Sequence, residues 1–379
     1  MSFKFSRRDF LKKSSTGIVG AVVIPQFLGP SVSKVFAAPA AENMTLNDYY
    51  AHFGVDEGLI RQVMAEAMSR GGDYCDVYFE HSVTSYVGLE DNAVNRAYSD
   101  IDFGVGIRTL KGDQTGYSFT EEITPEAMKL AAGTAASIAS SGVEAEPVQL
   151  KLHRTPNYYP IVRSWEDTSI DQKVPYLQEI DAEALAMDPA LIKTRIWFIS
   201  KTSYILIATS DGRVVYDYRP IGQIYLSTTA EKDGRREQNA HAIGGRVGME
   251  YFTPGKKDEL IKTAVRRTME MFDAVTPAPG EMPVVLAAGE SGILLHEAIG
   301  HGMEADFNRK EVSIFSDKIG KPVAEDFVTI IDDGTNRNAR GSINVDDEAN
   351  DTESTHLVEN GILKSYMHDR ISANFYGVK

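Results

Sequence analysis

The chain has 379 residues, 42% hydrophobic and 25% charged, which is ordinary globular composition and excludes wholesale disorder; the length suits roughly two domains. A formal charge of −15 speaks against nucleic acid as a partner, because phosphate binding needs clustered Lys and Arg. With one cysteine, Cys75, no internal disulfide can form.

Residues 6–13 read SRRDFLKK, with Arg7 and Arg8 adjacent, and an apolar run, GIVGAVVIPQFLG, follows. The stretch VFAAPAA then offers small-residue cleavage sites after Ala37 or Ala40. The whole segment resembles a twin-arginine (Tat) export signal. Pro25 interrupts the run, which also falls short of the ~20 residues needed to span a bilayer, so an anchor helix is the weaker reading. Residues 1–38 are therefore expected to be removed, leaving a periplasmic or otherwise exported protein with no stable membrane anchor. That removal takes away six basic residues and one acid and moves the formal charge to about −20. The twin-arginine route carries folded proteins, which suits a metalloprotein loaded before export.

Residues 39–54 read as a linker or short turn. From Asp56, DEGLIRQVMAEAMSRGG places Leu59, Ile60, Val63, Met64, Ala67 and Met68 at helical spacing and stops at Gly71 and Gly72. CDVYFEHSVTSYVGLE predicts a strand or hairpin, and DFGVGIRTL and QTGYSFT continue the sheet around a Gly112-Asp113 turn. In TPEAMKLAAGTAASIASS, Thr124 is the N-cap and Pro125 the first helical residue. Residues 143–168 read as loop, and SIDQKVPYLQEIDAEALAMD as a helix despite Pro175. TRIWFIS, SYILIATSDGRVVYDYRP and GQIYLSTTAEKDGRREQNAHAIGG read as strands with turns at Asp211-Gly212 and Asp233-Gly234. KKDELIKTAVRRTMEMFDA closes this part as a helix, and VTPAPG (275–280) reads as a linker. Beyond it MPVVLAA predicts a short apolar strand, and FVTIIDDGT and STHLVENGILKSYMHD predict further strands, with a turn at Asn360-Gly361. The fold class is α+β: an N-terminal domain (55–275) with a largely antiparallel sheet, then a β-rich metal-site domain (281–379).

The chemistry concentrates in HEAIGH, residues 296–301. Ser291 to Ile299 is helical in pattern, with Ile293, Leu294, Leu295, Ala298 and Ile299 on an apolar face. A zinc hydrolase needs neutral imidazoles as ligands and a carboxylate able to take a proton from water. In a regular α-helix residues four apart lie about 40° from one another around the axis, but residues five apart lie about 140° apart. Gly300 offers two remedies. A π-type turn would bring residues five apart onto one face; alternatively, Gly300 could end the helix in a left-handed conformation and swing His301 back. The sequence leaves both open.

Read as a block, GILLHEAIGHGMEADFNRK resembles the TldD/PmbA family of zinc metallopeptidases, and IDDGT (331–335), RGS (340–342), DDE (346–348) and LVENGILKSYMHDRISA (357–373) agree with its pattern. The resemblance implies that His296 and His301 bind Zn(2+) and that Glu297 is the general base. It implies hydrolysis of small or unfolded peptides and pairing with a related subunit, in a homo- or hetero-oligomer. The family takes a third metal ligand from a downstream cysteine, whereas no cysteine follows Cys75 here, so the second domain reads as incomplete. A non-catalytic or degenerate subunit acting by assembly, a zinc hydrolase of another amide or ester, and a peptide binder acting through a sheet edge are the alternatives. Cys75 is expected to be a buried apolar thiol. Glu304, Asp306, His356 and His368 are the weaker substitutes for the third ligand, and DDEAND (346–351) reads as a solvated turn.

Overall fold

The computed structural model describes residues 44–138, 148–289 and 291–378; the export segment and its cleavage sites lie outside them. The 39–54 stretch, expected to be a linker or short turn, carries a helix, α1 (Leu46–Phe53). Thr45 and Asp48 form a capping box, Thr45 N donating to Asp48 Oδ2 at 2.7 Å. Tyr49 and Phe53, four apart on one face, are buried, and Gly54 closes the helix at φ +68°. Two aromatic anchors and a good cap outweigh the polar composition that suggested a linker. Helix α2 (Glu57–Met68) matches its pattern: Asp56 caps it and Ile60, Val63, Met64, Ala67 and Met68 are buried.

Strands β1 (Tyr74–Glu90), β2 (Ala93–Lys111) and β3 (Gln114–Thr120) lead into α3 (Pro125–Ala136), which Thr124 caps. After the short β4 (Lys151–Leu152) and α4 (Ile170–Ala186) come β5 (Leu191–Thr209), β6 (Arg213–Lys232), β7 (Arg235–Gly245) and α5 (Pro254–Glu270). One sheet results, in the order β3-β2-β1-β5-β6, with β7 antiparallel and β4 parallel to β6. β1 is one long strand and not a hairpin, and TRIWFIS and SYILIATS fuse into β5, since nothing between them turns the chain. The Asp233-Gly234 turn forms as expected, with both residues at positive φ.

Alternate residues of these strands share a face. Val77, Phe79 and Leu206 meet α1, α2 and α3, while Val87, Leu89, Phe198 and Ile224 meet α4 and α5. On the other face Ile205, Ile207 and Val215 are also buried, against Val345 and Ala349. DDEAND is therefore not a solvated turn. Asp347 pairs with Arg219 at 3.0 Å, Glu348 with Arg108 at 2.8 Å and Asp351 with His153 at 2.8 Å, and Ala349 is fully buried. Basic side chains standing on the sheet recruit this acidic loop from far along the chain.

Residues 274–289 form no helix or strand, and Val284, Val285 and Leu286 are exposed. MPVVLAA thus lacks the pairing that its composition predicts, because no strand among the described residues lies beside it. The later part builds a second sheet, β10-β9-β8, from β8 (Ile330–Asp333), β9 (Ser354–Glu359) and β10 (Ile362–Leu363), turning at Asn360-Gly361. Among the described residues no helix is long and apolar enough to cross a membrane.

A histidine pair pins α1 to the sheet. His52 Nε2 lies 2.8 Å from His81 Nδ1, amid Phe53, Phe103 and Tyr204. Burial, and secondarily the neighbouring His81, pushes His52 down to about 4; burial also lowers His81. Unfolded imidazoles titrate near ~6.5, so on acidification the unfolded chain takes up protons first. Stability from this pair is complete above that pH and is lost as pH falls toward the folded value. Urea denaturation should show a loss of about 1–2 kcal/mol between pH 7 and pH 5. His52→Gln should flatten this dependence, and an unchanged slope in the variant would refute the assignment.

Candidate metal centre

Helix α6 (Ser291–Leu295) does not continue as a regular helix. It widens into a π-turn over His296–Gly300, tightens to a 3₁₀ turn over His301–Met303, and passes into α7 (Ala305–Arg309). His301 N donates to His296 O, the five-residue bond of a π-turn. Of the two remedies open in the sequence, the wide turn is the one adopted. Gly300 is right-handed, at φ −54° and ψ −56°, so the left-handed cap does not form. A Cβ on Gly300 would sit 3.5 Å from His296 Nδ1, an ordinary contact. The glycine is thus not forced by its backbone; it keeps one flank of the ring clear.

The turn brings together the residues that the motif singles out. The His296 and His301 rings lie 4.6 Å apart, edge to face, and Glu297 Oε2 lies 3.8 Å from His301 Nε2. One donor atom from each of the three lies within 4.8 Å of the others, and all three residues are exposed. Two imidazoles are donors that zinc takes, with a carboxylate beside them; among the described residues no third ligand joins the pair once Glu297 is kept as the base. On the opposite side, Ile299, Met303 and Ala305 anchor the turn against Leu357, Val358, Leu363 and Tyr366. Ile293, Leu294, Leu295 and Ala298 do not join this core: they are exposed, because no described element packs over them.

The weaker candidates separate cleanly. Glu304 holds the His301 ring, with Oε1 2.7 Å from Nδ1. Asp306 pairs with Lys310 at 3.6 Å. His356 lies within β9 opposite Ile331, and His368 packs near Tyr366 and Tyr376, where burial lowers its pKa. Cys75 is a fully buried free thiol in β1, its pKa raised by burial and then by Asp76. None of these five belongs to the three-residue cluster. The Glu304 contact escapes sequence reading because it depends on the 3₁₀ turn, which sets residues three apart above one another.

Family models for PmbA/TldA metallopeptidases match in succession: domain 1 over residues 75–139, the central domain over 163–272 and the C-terminal domain over 279–379. The chain is 35% identical over 316 residues to the metalloprotease TldD homolog of Haemophilus influenzae, covering 82% of this chain and 66% of that protein. The homolog of Buchnera aphidicola (Acyrthosiphon pisum) is 34% identical over 323 residues, covering 83% and 67%. The chain thus spans about two thirds of the length of the curated relatives that it matches. Among solved structures, TldE from Thermococcus kodakarensis is similar with a TM-score of 0.68 at 19% identity, over 85% of this chain and 72% of that one. This last likeness speaks to the fold alone. With three successive domain matches and a relative at 34% identity across most of its length, the chain belongs to the PmbA/TldD metallopeptidase family.

Proposed function

We propose that the protein is an exported, zinc-dependent peptidase acting on small or unfolded peptides. The observation that carries this reading is the convergence of His296, Glu297 and His301 on one π-turn. His296 and His301 would hold the metal. Zinc supplies Lewis acidity, which polarises a carbonyl and makes water a stronger acid. Glu297 presents an exposed carboxylate beside His301 Nε2 and takes the proton from attacking water. The open setting of all three side chains leaves room for an extended peptide to lie across them. Export to the periplasm rests on the Arg7-Arg8 segment, and a related PmbA/TldD subunit is the proposed partner.

The test is hydrolysis of an unstructured peptide by the purified protein, with metal content measured in parallel. Cleavage should disappear on chelation and return with zinc. Cleavage that persists at full rate in metal-free protein would sink the reading.

A further inference from the structure

We propose that Glu304 is a positioning residue of this site: it holds the Nδ1 proton of His301 and so presents the ring's Nε2 lone pair on the side of Glu297. The inference rests on the metal-site reading above and adds to it the control of one ligand's tautomer.

An ionised carboxylate can only accept hydrogen bonds. Glu304 Oε1 lies 2.7 Å from His301 Nδ1, so this nitrogen carries the proton, and in the neutral ring Nε2 is the unprotonated one. Nε2 is the nitrogen that faces Glu297, at 3.8 Å. A free histidine side chain in water prefers the opposite tautomer, which would place a proton where a metal must bind. Because the two ring nitrogens point to different sides, Glu304 cannot share a metal ion with Nε2. That assigns it to orientation and not to ligation, and it answers why an acid stands three residues beyond the second histidine.

A positioning residue needs a fixed backbone, and this one has it. Ala305 N donates to Met367 O at 2.8 Å and Met367 N to Met303 O at 2.9 Å, bracketing Glu304 from both sides. The buried Asn308 amide donates to Gly302 O at 2.9 Å and to Glu304 O at 2.8 Å. Ser313 Oγ adds a bond to Gly302 O. The Glu304 side chain therefore leaves a backbone segment held by Met367, Asn308 and Ser313, so its carboxylate meets the ring from a set direction.

Two readouts test this on the full chain. Histidine-labelled ¹⁵N NMR of the metal-free protein reports the His301 tautomer, the signal being assigned by its loss in His301→Gln. Zinc affinity is measured by chelator competition. Wild type should show the Nδ1–H form; Glu304→Ala should lose that preference and bind zinc about 10–100-fold more weakly. Glu304→Gln keeps an acceptor oxygen, so it should retain the tautomer and most of the affinity. An Nε2–H ring in wild type, or unchanged zinc affinity in Glu304→Ala, would overturn the role of Glu304. A wild type that takes up no zinc would overturn the metal reading itself, which the tautomer measurement does not presuppose.

Discussion

Glu297→Gln should lower kcat for peptide hydrolysis by about 10²–10⁴-fold, with zinc content and KM little changed. Glutamine preserves the size of the side chain and one acceptor oxygen but cannot take up a proton. The carboxylate sits at the start of the π-turn, one residue after His296, and approaches the ring of His301, which begins the following turn. It can therefore reach water bound near either imidazole without any backbone movement. The measurement also separates two roles. If Glu297 were chiefly a ligand, the substitution would weaken zinc binding in proportion to the loss of rate. A variant that keeps wild-type kcat would leave the proton with another group and refute the assignment.

Much of the frame was legible because it obeys local rules. The apolar spacing of α2, the Thr124-Pro125 start of α3 and the Asn360-Gly361 turn each follow from a few adjacent residues. At the metal centre the sequence supplied the three residues and narrowed the backbone to two conformations, and the wide turn answers the five-residue spacing. What it hid was set by distant or conformational partners. The acidic loop at 346–351 reads as solvent-facing until Arg108 and Arg219, more than 120 positions away, stand opposite it. Glu304 reads as a helix-end acid until the 3₁₀ turn stacks it over His301. The apolar 282–288 stretch fails in the other direction, since β composition without a neighbouring strand leaves backbone groups to water.

Asp217→Ala should cost about 3–5 kcal/mol of stability in urea denaturation, the penalty of leaving buried partners uncompensated. Asp217, on β6, is 3% exposed and gathers three donors: Tyr159 Oη at 2.5 Å, Asn344 Nδ2 at 2.9 Å and Arg219 Nε at 3.0 Å. Burial, followed by this carboxylate, raises the Tyr159 phenol well above its usual pKa, so it stays a donor across the physiological range. Arg219 continues the network to Val345 O at 2.8 Å and to Asp347 at 3.0 Å. Asn344, Val345 and Asp347 belong to the segment between β8 and β9, so one carboxylate ties the large sheet to the part that carries the metal centre. Removing it takes the acceptor from the Arg219 Nε, the Tyr159 phenol and the Asn344 amide together. Removing Arg219 as well should recover part of the loss, because the double variant no longer buries a guanidinium that has lost its buried carboxylate partner. Strictly additive losses in the double-mutant cycle, or a loss below about 1 kcal/mol for Asp217→Ala, would show that water replaces the carboxylate and that the two parts are held together elsewhere.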